Sequence, residues 1–424
     1  MKGPLEAIRV LEIGHYIAGP HAAQMMGDQG ADVIKVEPIS GDPSRASIEV
    51  GQRRNSMLYA CHNRGKRSIA LDLRSPDAPL ALDPLLRWAD VVITNYTNGV
   101  PDRLGFGFAH LSAINPRAVM VHVTGYDVHG PWRDYAAFDG SIIAMSGIAA
   151  MTGSEHGPPL MSQILFADHS VGAHAAFAAA AALAERERTG RGRLIEMNML
   201  DVMTTYLGHQ ISMTGLWDLD PLRSETRAGT RFVHLFPTRE GELFVAAITT
   251  AMWRGYAVLV GHPEWAPPGM TDVPDFLANT ALKEEAVAAG ERRFAEMTAH
   301  EAMGMLQACG VTCGVMRTPR QIYEEALQSG ASTVHHVHYP DGTSVPVPGP
   351  AIAAGSAPSD FVASLGADGC AVLADLGVPT DVIERLHADR VLGQAVMDAD
   401  RIGYIEAVPQ HLRHRVTNSR TNHA

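Results

Sequence analysis

Five short runs rich in β-branched residues punctuate the chain before position 125, and the stretches between them read as helices. The runs are residues 8–13, Asp32–Glu37, Arg67–Leu71, Val91–Thr94 and Val119–Thr124. Strand alternating with helix in this way predicts an α/β fold with a mostly parallel, doubly wound sheet. Ligands of such sheets sit in the crevice beyond the C-terminal strand ends. The first such end carries the glycine-bearing turn GHYIAGP at residues 14–20, with a short helix at 21–27 behind it. Its spacing is not G-x-G-x-x-G, and a GK[ST] pattern is missing, which argues against a dinucleotide or P-loop enzyme. A glycine turn between strand and helix can still receive a phosphate-bearing ligand.

Residues 168–187 form the clearest helix, an alanine-dense segment with little bulk on any face. Alanine favours helix and lets neighbouring backbones come close, so this helix is expected to be buried. Asp168 stands at its start, where a carboxylate would cap free N–H groups. Beyond residue 222 the character changes. Residues 229–250 read as an antiparallel pair around the turn Arg239–Glu240–Gly241, and helices follow through about residue 308, so a second domain is placed at 222–328. From residue 333, two strands flank the turn Pro340–Asp341–Gly342, and helices at 372–376 and 381–387 close the chain.

At 424 residues the chain exceeds what one hydrophobic core usually fills, which agrees with two domains. A net charge of −12 argues against nucleic acid or an anionic membrane as partner, since both need a basic footprint. The basic stretch 411–420 reads as a solvated terminus. MKGPLEAIRVLEIG lacks a long apolar segment and a cleavage site, so it does not read as a signal peptide, and no window of 18 uninterrupted apolar residues spans a membrane. Four irregularly spaced cysteines suit a reducing, cytoplasmic setting. Cys309 and Cys313 read as two buried thiols at a helix–strand junction. His335, His336 and His338 lack a cysteine or carboxylate partner and read as exposed or packed side chains, so no metal site is expected.

Several blocks, taken together, carry a resemblance. VLEIGHYIAGPHAAQMMGDQGADVIKVEPISGDPSR looks like the opening of the class III CoA-transferases, the CaiB/BaiF family that includes formyl-CoA and carnitine CoA-transferases. NRGKRSIALDLRSPDA, ADVVITNYTNGVPDRLGFG, INPRAVMVHVTGYDVHGPW, FADHSVGAHAAFAAAAALAERERTGRGRLIEMNMLD and FPTREGELFVAAITTAMW are similar to later blocks in the same order. The similarity runs from about residue 4 to about residue 390.

The resemblance implies a two-domain subunit in which residues 1–221 and 329–424 build a large Rossmann-like domain around a smaller α+β domain, and an interlocked homodimer. It implies acyl-CoA and a small carboxylic acid as substrates, with no tightly bound cofactor, and it assigns the covalent nucleophile to Asp168. Positions matching the family's CoA contacts are Ile17, Ala18, Leu71, Arg74, Asn95, Tyr96, Thr97 and Arg103, with Asp139 matching a carboxylate near the active centre. Arg74 and Arg103 suit the CoA phosphates, which cationic side chains grip well. Backbone N–H groups of Gly229 or of Ser170–Gly172 are candidate oxyanion donors, and Arg227 and Arg231 candidate partners of the acceptor carboxylate. Pro38 and Ile17 stand where formyl-CoA transferases have arginine and glutamine, and the small domain lacks their glycine run, which weakens an oxalate acceptor. Alpha-methylacyl-CoA racemases share the fold but carry a His-Asp pair where this chain has Phe138–Asp139. Racemisation needs a base on each face of the α-carbon, which here would fall to His169 or His129. A CoA-binding protein without activity is a third reading, against which the retained Asp168 speaks.

Overall fold

A computed structural model describes residues 3–51, 55–154, 157–218, 231–352 and 358–393. Arg227, Gly229 and the basic stretch 411–420 lie outside the described residues. Two compact units emerge from the described parts of the chain. One draws on Met1–Ala136, Asp168–Met199 and Thr333–Ala424, and the other on Ala137–Ala167 and Leu200–Ser332.

The first unit is organised by six parallel strands, β1 (Arg9–Glu12), β2 (Asp32–Glu37), β3 (Arg67–Leu71), β4 (Val91–Thr94), β5 (Val119–Thr124) and β6 (Leu194–Asn198). Their spatial order is β3-β2-β1-β4-β5-β6, and the two-residue strand Leu392–Gly393 adds antiparallel to β3 at the edge. The order reverses between β1 and β4, which makes that junction the topological switch point where such sheets bind ligands.

Alternation along the strands divides the sheet into two unlike faces. Leu11, Ile13, Ile34, Val36, Ile69 and Leu71 share one apolar core with the helix Pro79–Trp88 and with Val372, Leu373, Ile383 and Leu386 from the end of the chain. Intervening residues turn to the other face, and there they include Glu12, Lys35, Glu37 and Ser68, all essentially shielded from solvent. Lys35 is the register partner of Glu12 on the neighbouring strand. Its Nζ lies 2.5 Å from Glu12 and 2.9 Å from Asp42, and Lys66 Nζ reaches the other Glu12 oxygen at 2.6 Å. Arg45 grips Glu37 with two N–H groups at 2.7 and 2.8 Å, and its guanidinium lies 3.6 Å from the centre of the Tyr59 ring. Three carboxylates and three cations thus balance inside the unit. Burial works against every one of these charges, yet Asp42, Glu12 and Glu37 hold Lys35 above its ordinary value, while burial prevails at Lys66 and lowers it to about 8.

In the second unit β7 (Phe232–Pro237), β8 (Glu242–Ala247) and β9 (Thr312–Val315) form an antiparallel sheet in the order β7-β8-β9. β7 and β8 flank the expected turn. Phe232, Phe236, Trp253, Tyr256, Phe276 and Phe294 fill its core. Cys309, which caps the helix Ala299–Ala308, and Cys313, on the edge strand β9, are half-buried rather than buried. Back in the first unit, the hairpin Val334–His338 with Ser344–Pro348 packs Val337, Val345 and Val347 against Tyr59. His336 and His338 on it face solvent.

The alanine-dense helix runs from Phe166 to Thr189 and departs from expectation in two ways. Only one stripe is buried, through Val171, Ala175, Ala179, Ala182 and Arg186, while Phe177 on the far side is 74% exposed. A helix of small residues can close on its neighbours along one face without being enclosed. The helix also begins before Asp168, which therefore sits within the first turn rather than at the N-cap. None of the described helices is long and apolar enough to cross a membrane.

Candidate active site

The loop after β1 is fixed from three sides. Asn95, the first residue beyond β4, accepts from the His15 N–H at 2.9 Å and donates to the His15 carbonyl at 2.8 Å. This two-point clamp comes so close that a Cβ on Gly14 would stand 2.6 Å from Asn95 Oδ1, so glycine is required there. Tyr16 adopts a left-handed φ of 58°, unusual for a residue with a side chain. Its N–H donates to Asp42 at 3.1 Å, and Asp42 is itself anchored by Lys35. Lys35 Nζ also donates to the Gly14 carbonyl at 3.2 Å. The buried ion network thereby doubles as the scaffold of the loop.

Ile17 and Ala18 open the helix Ala18–Asp28 directly beyond this loop, and both are buried. Leu71 ends β3, with exposed Arg74 three residues on. Asn95, Tyr96 and Thr97 follow β4, where His122 on β5 bonds the Tyr96 carbonyl at 2.8 Å. Arg103 ends the short helix Val100–Arg103 and is exposed. The structure thus places these residues on the loops and first helical turns that follow β1, β3 and β4. Replacing Asn95 by Ala removes both clamp bonds, and a loss of about 1–3 kcal/mol in stability is expected, read as a lower melting temperature beside an Asn95→Asp control.

The Phe166–Thr189 helix brings Asp168 to the same region. A Cβ on Gly172 would meet His21 at 2.8 Å and the Ala18 carbonyl oxygen at 3.0 Å, so the helix packs backbone-close on the first turn of Ala18–Asp28. His169 extends the contact, with its ring centre 4.9 Å from that of His21 and 5.2 Å from that of His62. Asp168, one residue before His169, therefore stands in the first unit beside the Ile17–Ala18 turn. As a first-turn carboxylate it is stabilised in its ionised form by the helix dipole.

In the second unit, buried Asp139 opens the helix Asp139–Met145 and accepts from the Ala167 N–H at 2.7 Å. It therefore satisfies one of the donors that a helix start leaves over. Phe138 precedes it and is 63% exposed. One expectation changes. The N–H groups of Ser170, Val171 and Gly172 lie beyond the first turn and belong to the helix ladder, so they are not oxyanion donors. Arg231 is already engaged by Asp272 at 2.8 Å.

Sequence reasoning passed over His15, His21 and His62, and considered His169 only as a base for racemisation, not as a neighbour of the other two. His15 Nδ1 is buried with no hydrogen-bond partner among the described residues, and burial lowers its pKa. Burial, reinforced by neighbouring positive charge, takes His21 down to about 4 and His62 to about 3, although a bond from His62 to the Leu58 carbonyl works the other way. No local pattern announces these groups, since 148 positions separate the outer members of the trio (169 − 21 = 148).

Comparison with known proteins fits this geometry. Residues 5–368 match CoA-transferase family III. A succinate–glutarate CoA-transferase of Agrobacterium fabrum is 34% identical over 61% of this chain and 67% of its own length. A succinyl-CoA–D-citramalate CoA-transferase of Chloroflexus aurantiacus is 30% identical over 92% of this chain and 98% of its own. Among solved structures, a CaiB/BaiF family protein from Brucella suis superposes with a TM-score of 0.76 at 28% identity, covering 89% of this chain and all of that one. With most of its length matched, this chain belongs to CoA-transferase family III and is a transferase enzyme.

Proposed function

We propose that the enzyme moves CoA from succinyl-CoA to a second dicarboxylic acid, with Asp168 as covalent carboxylate. The observation that carries this reading is the packing of Gly172 on Ala18 and His21, which sets Asp168 beside the turn that opens the switch-point crevice. Glutarate and citramalate, named for two relatives, are both dicarboxylates, as is succinate. CoA would lie over the loops carrying Ile17, Ala18, Leu71, Asn95, Tyr96 and Thr97, with Arg74 and Arg103 on its phosphates. Asp139 would contribute by holding the start of the Asp168 helix.

An Asp168 oxygen attacks the thioester carbonyl, the C–S bond breaks, and CoA leaves as thiolate, giving a mixed anhydride. The thiolate then attacks the aspartyl carbonyl, releasing succinate and leaving an aspartyl-CoA thioester. The acceptor carboxylate repeats the two steps in reverse order, which frees Asp168 and forms the new acyl-CoA. Each step trades one activated acyl bond for another, so the exchange consumes no ATP. Dividing it into covalent steps is the general advantage of nucleophilic catalysis.

We place the enzyme in the cytoplasm as a homodimer. All four cysteines are unpaired, as a reducing compartment would leave them, and Phe177, Leu216 and Trp217 are apolar side chains that a partner subunit would cover. A monomer mass in light scattering removes the dimer. The test of the reaction is incubation with succinyl-CoA and a panel of mono- and dicarboxylic acids, followed by mass spectrometry of the CoA products. New acyl-CoA should form with dicarboxylates. Deuterium uptake at the α-carbon without any acid-dependent exchange would overturn the proposal in favour of an isomerase.

A further inference from the structure

Three histidines from three helices converge in the first unit, and the transfer chemistry above makes no use of them. His21 belongs to the first turn of Ala18–Asp28, His62 to the last turn of Met57–Asn63 and His169 to the first turn of Phe166–Thr189. One ring nitrogen from each lies within 4.8 Å of those of the other two, and His62 Nε2 is 3.1 Å from His169 Nε2. The ring planes are inclined to one another by 50° to 80°, so none of the three pairs is stacked face to face.

We propose that His21, His62 and His169 bind one divalent cation of the zinc class. A tetrahedral zinc ion with Zn–N bonds of about 2.0–2.1 Å sets its ligand nitrogens about 3.3 Å apart. The closest pair already meets that spacing, and small side-chain rotations bring in the third. His62 is oriented for the role. Its Nδ1 lies 2.9 Å from the Leu58 carbonyl, which can only accept, so Nδ1 carries the proton and Nε2 accepts from His169 Nε2–H at 3.1 Å, a proton that a bound cation would displace. A ligating imidazole held through its other nitrogen by a backbone carbonyl is the usual outer-shell arrangement of metal sites.

Arg64 and Lys66 stand nearby and oppose a cation. Each is compensated, Arg64 by an ion pair with Asp28 and Lys66 by Glu12 at 2.6 Å. Three neutral imidazoles select zinc-like ions over magnesium or calcium, which prefer oxygen. A three-histidine set also leaves a fourth tetrahedral position for water or a small ligand.

Untagged full-length protein, stripped with chelator and dialysed against Zn2+, should retain one equivalent by elemental mass spectrometry. His169→Gln and His62→Gln should each weaken binding at least tenfold, and His300→Gln, on an exposed position of the second unit, should not. Co2+ in place of Zn2+ should give the intense visible bands of a tetrahedral site, lost in His169→Gln. Melting curves without metal identify any variant that fails to fold. His169→Gln and His21→Gln then carry the comparison in place of His62→Gln. Failure to retain zinc overturns the proposal, as does one equivalent held equally by wild type and all folded variants, or only the weak bands of octahedral Co2+. None of these readouts depends on CoA transfer, so the outcome is independent of the proposed activity.

Discussion

Replacing Asp168 by Ala or Asn is expected to lower CoA transfer by about 10^4-fold or more, the scale of losing a covalent nucleophile. A first-turn carboxylate's interaction with the helix dipole is worth about 1 kcal/mol, so stability should change far less than activity. Intact-protein mass spectrometry separates the two roles. Wild type incubated with succinyl-CoA should gain a CoA-sized adduct that a dicarboxylic acid discharges, and both variants should stay unmodified while melting near the wild-type temperature. An adduct that survives in Asp168→Asn would move the nucleophile elsewhere.

The second large effect is expected at Glu37. Burial alone would raise its pKa, but the charge and paired hydrogen bonds of Arg45, with help from Lys35 and Ser68, draw it down to about 2. A carboxyl whose folded pKa lies below its unfolded value contributes stability that is complete above about pH 4.5 and is lost as pH falls through about 2. Glu37→Gln removes that contribution and leaves Arg45 charged in a sealed environment, so a loss of about 3–5 kcal/mol near neutral pH is expected. Denaturant titrations of both proteins from pH 7 to pH 2 should show the gap closing on the acid side. A gap that stays constant with pH would mean that the variant acts through packing instead of charge.

Much of the fold was legible because its strands are short β-branched runs with helices between them, so β1 to β5 announce themselves. β6 does not. LIEMN is partly exposed and carries a glutamate in the middle. β9 is four residues with a glycine, and Leu392–Gly393 has too few residues for any periodicity. A deeper gap concerns polarity. In DVIKVE, Lys35 and Glu37 alternate with apolar residues and yet are sealed inside. Their partners Glu12, Asp42 and Arg45 come from other segments, so only the folded chain shows the balance. The same holds for the site. The resemblance points to the loops after β1, β3 and β4, whereas the closeness of Gly14 to Asn95 and of Gly172 to His21 belongs to three dimensions. The histidine trio is the extreme case, brought together from three distant helices.

The discontinuity of the first unit bears on how the protein is made. Its sheet is closed at one edge by Leu392–Gly393 on β3, the Ser68 N–H is capped by Asp368, and Tyr59 is covered by Val337, Val345 and Val347. A ribosome delivers these pieces after the second unit. The second unit, by contrast, has all its residues once Ser332 has been added. Domains tend to fold as units in the order of their synthesis. Here that order is inverted for the part that begins first: the aromatic core of the inserted unit can form while the parallel sheet still lacks its antiparallel edge strand and the apolar residues Val372, Leu373, Ile383 and Leu386 that cover one of its faces.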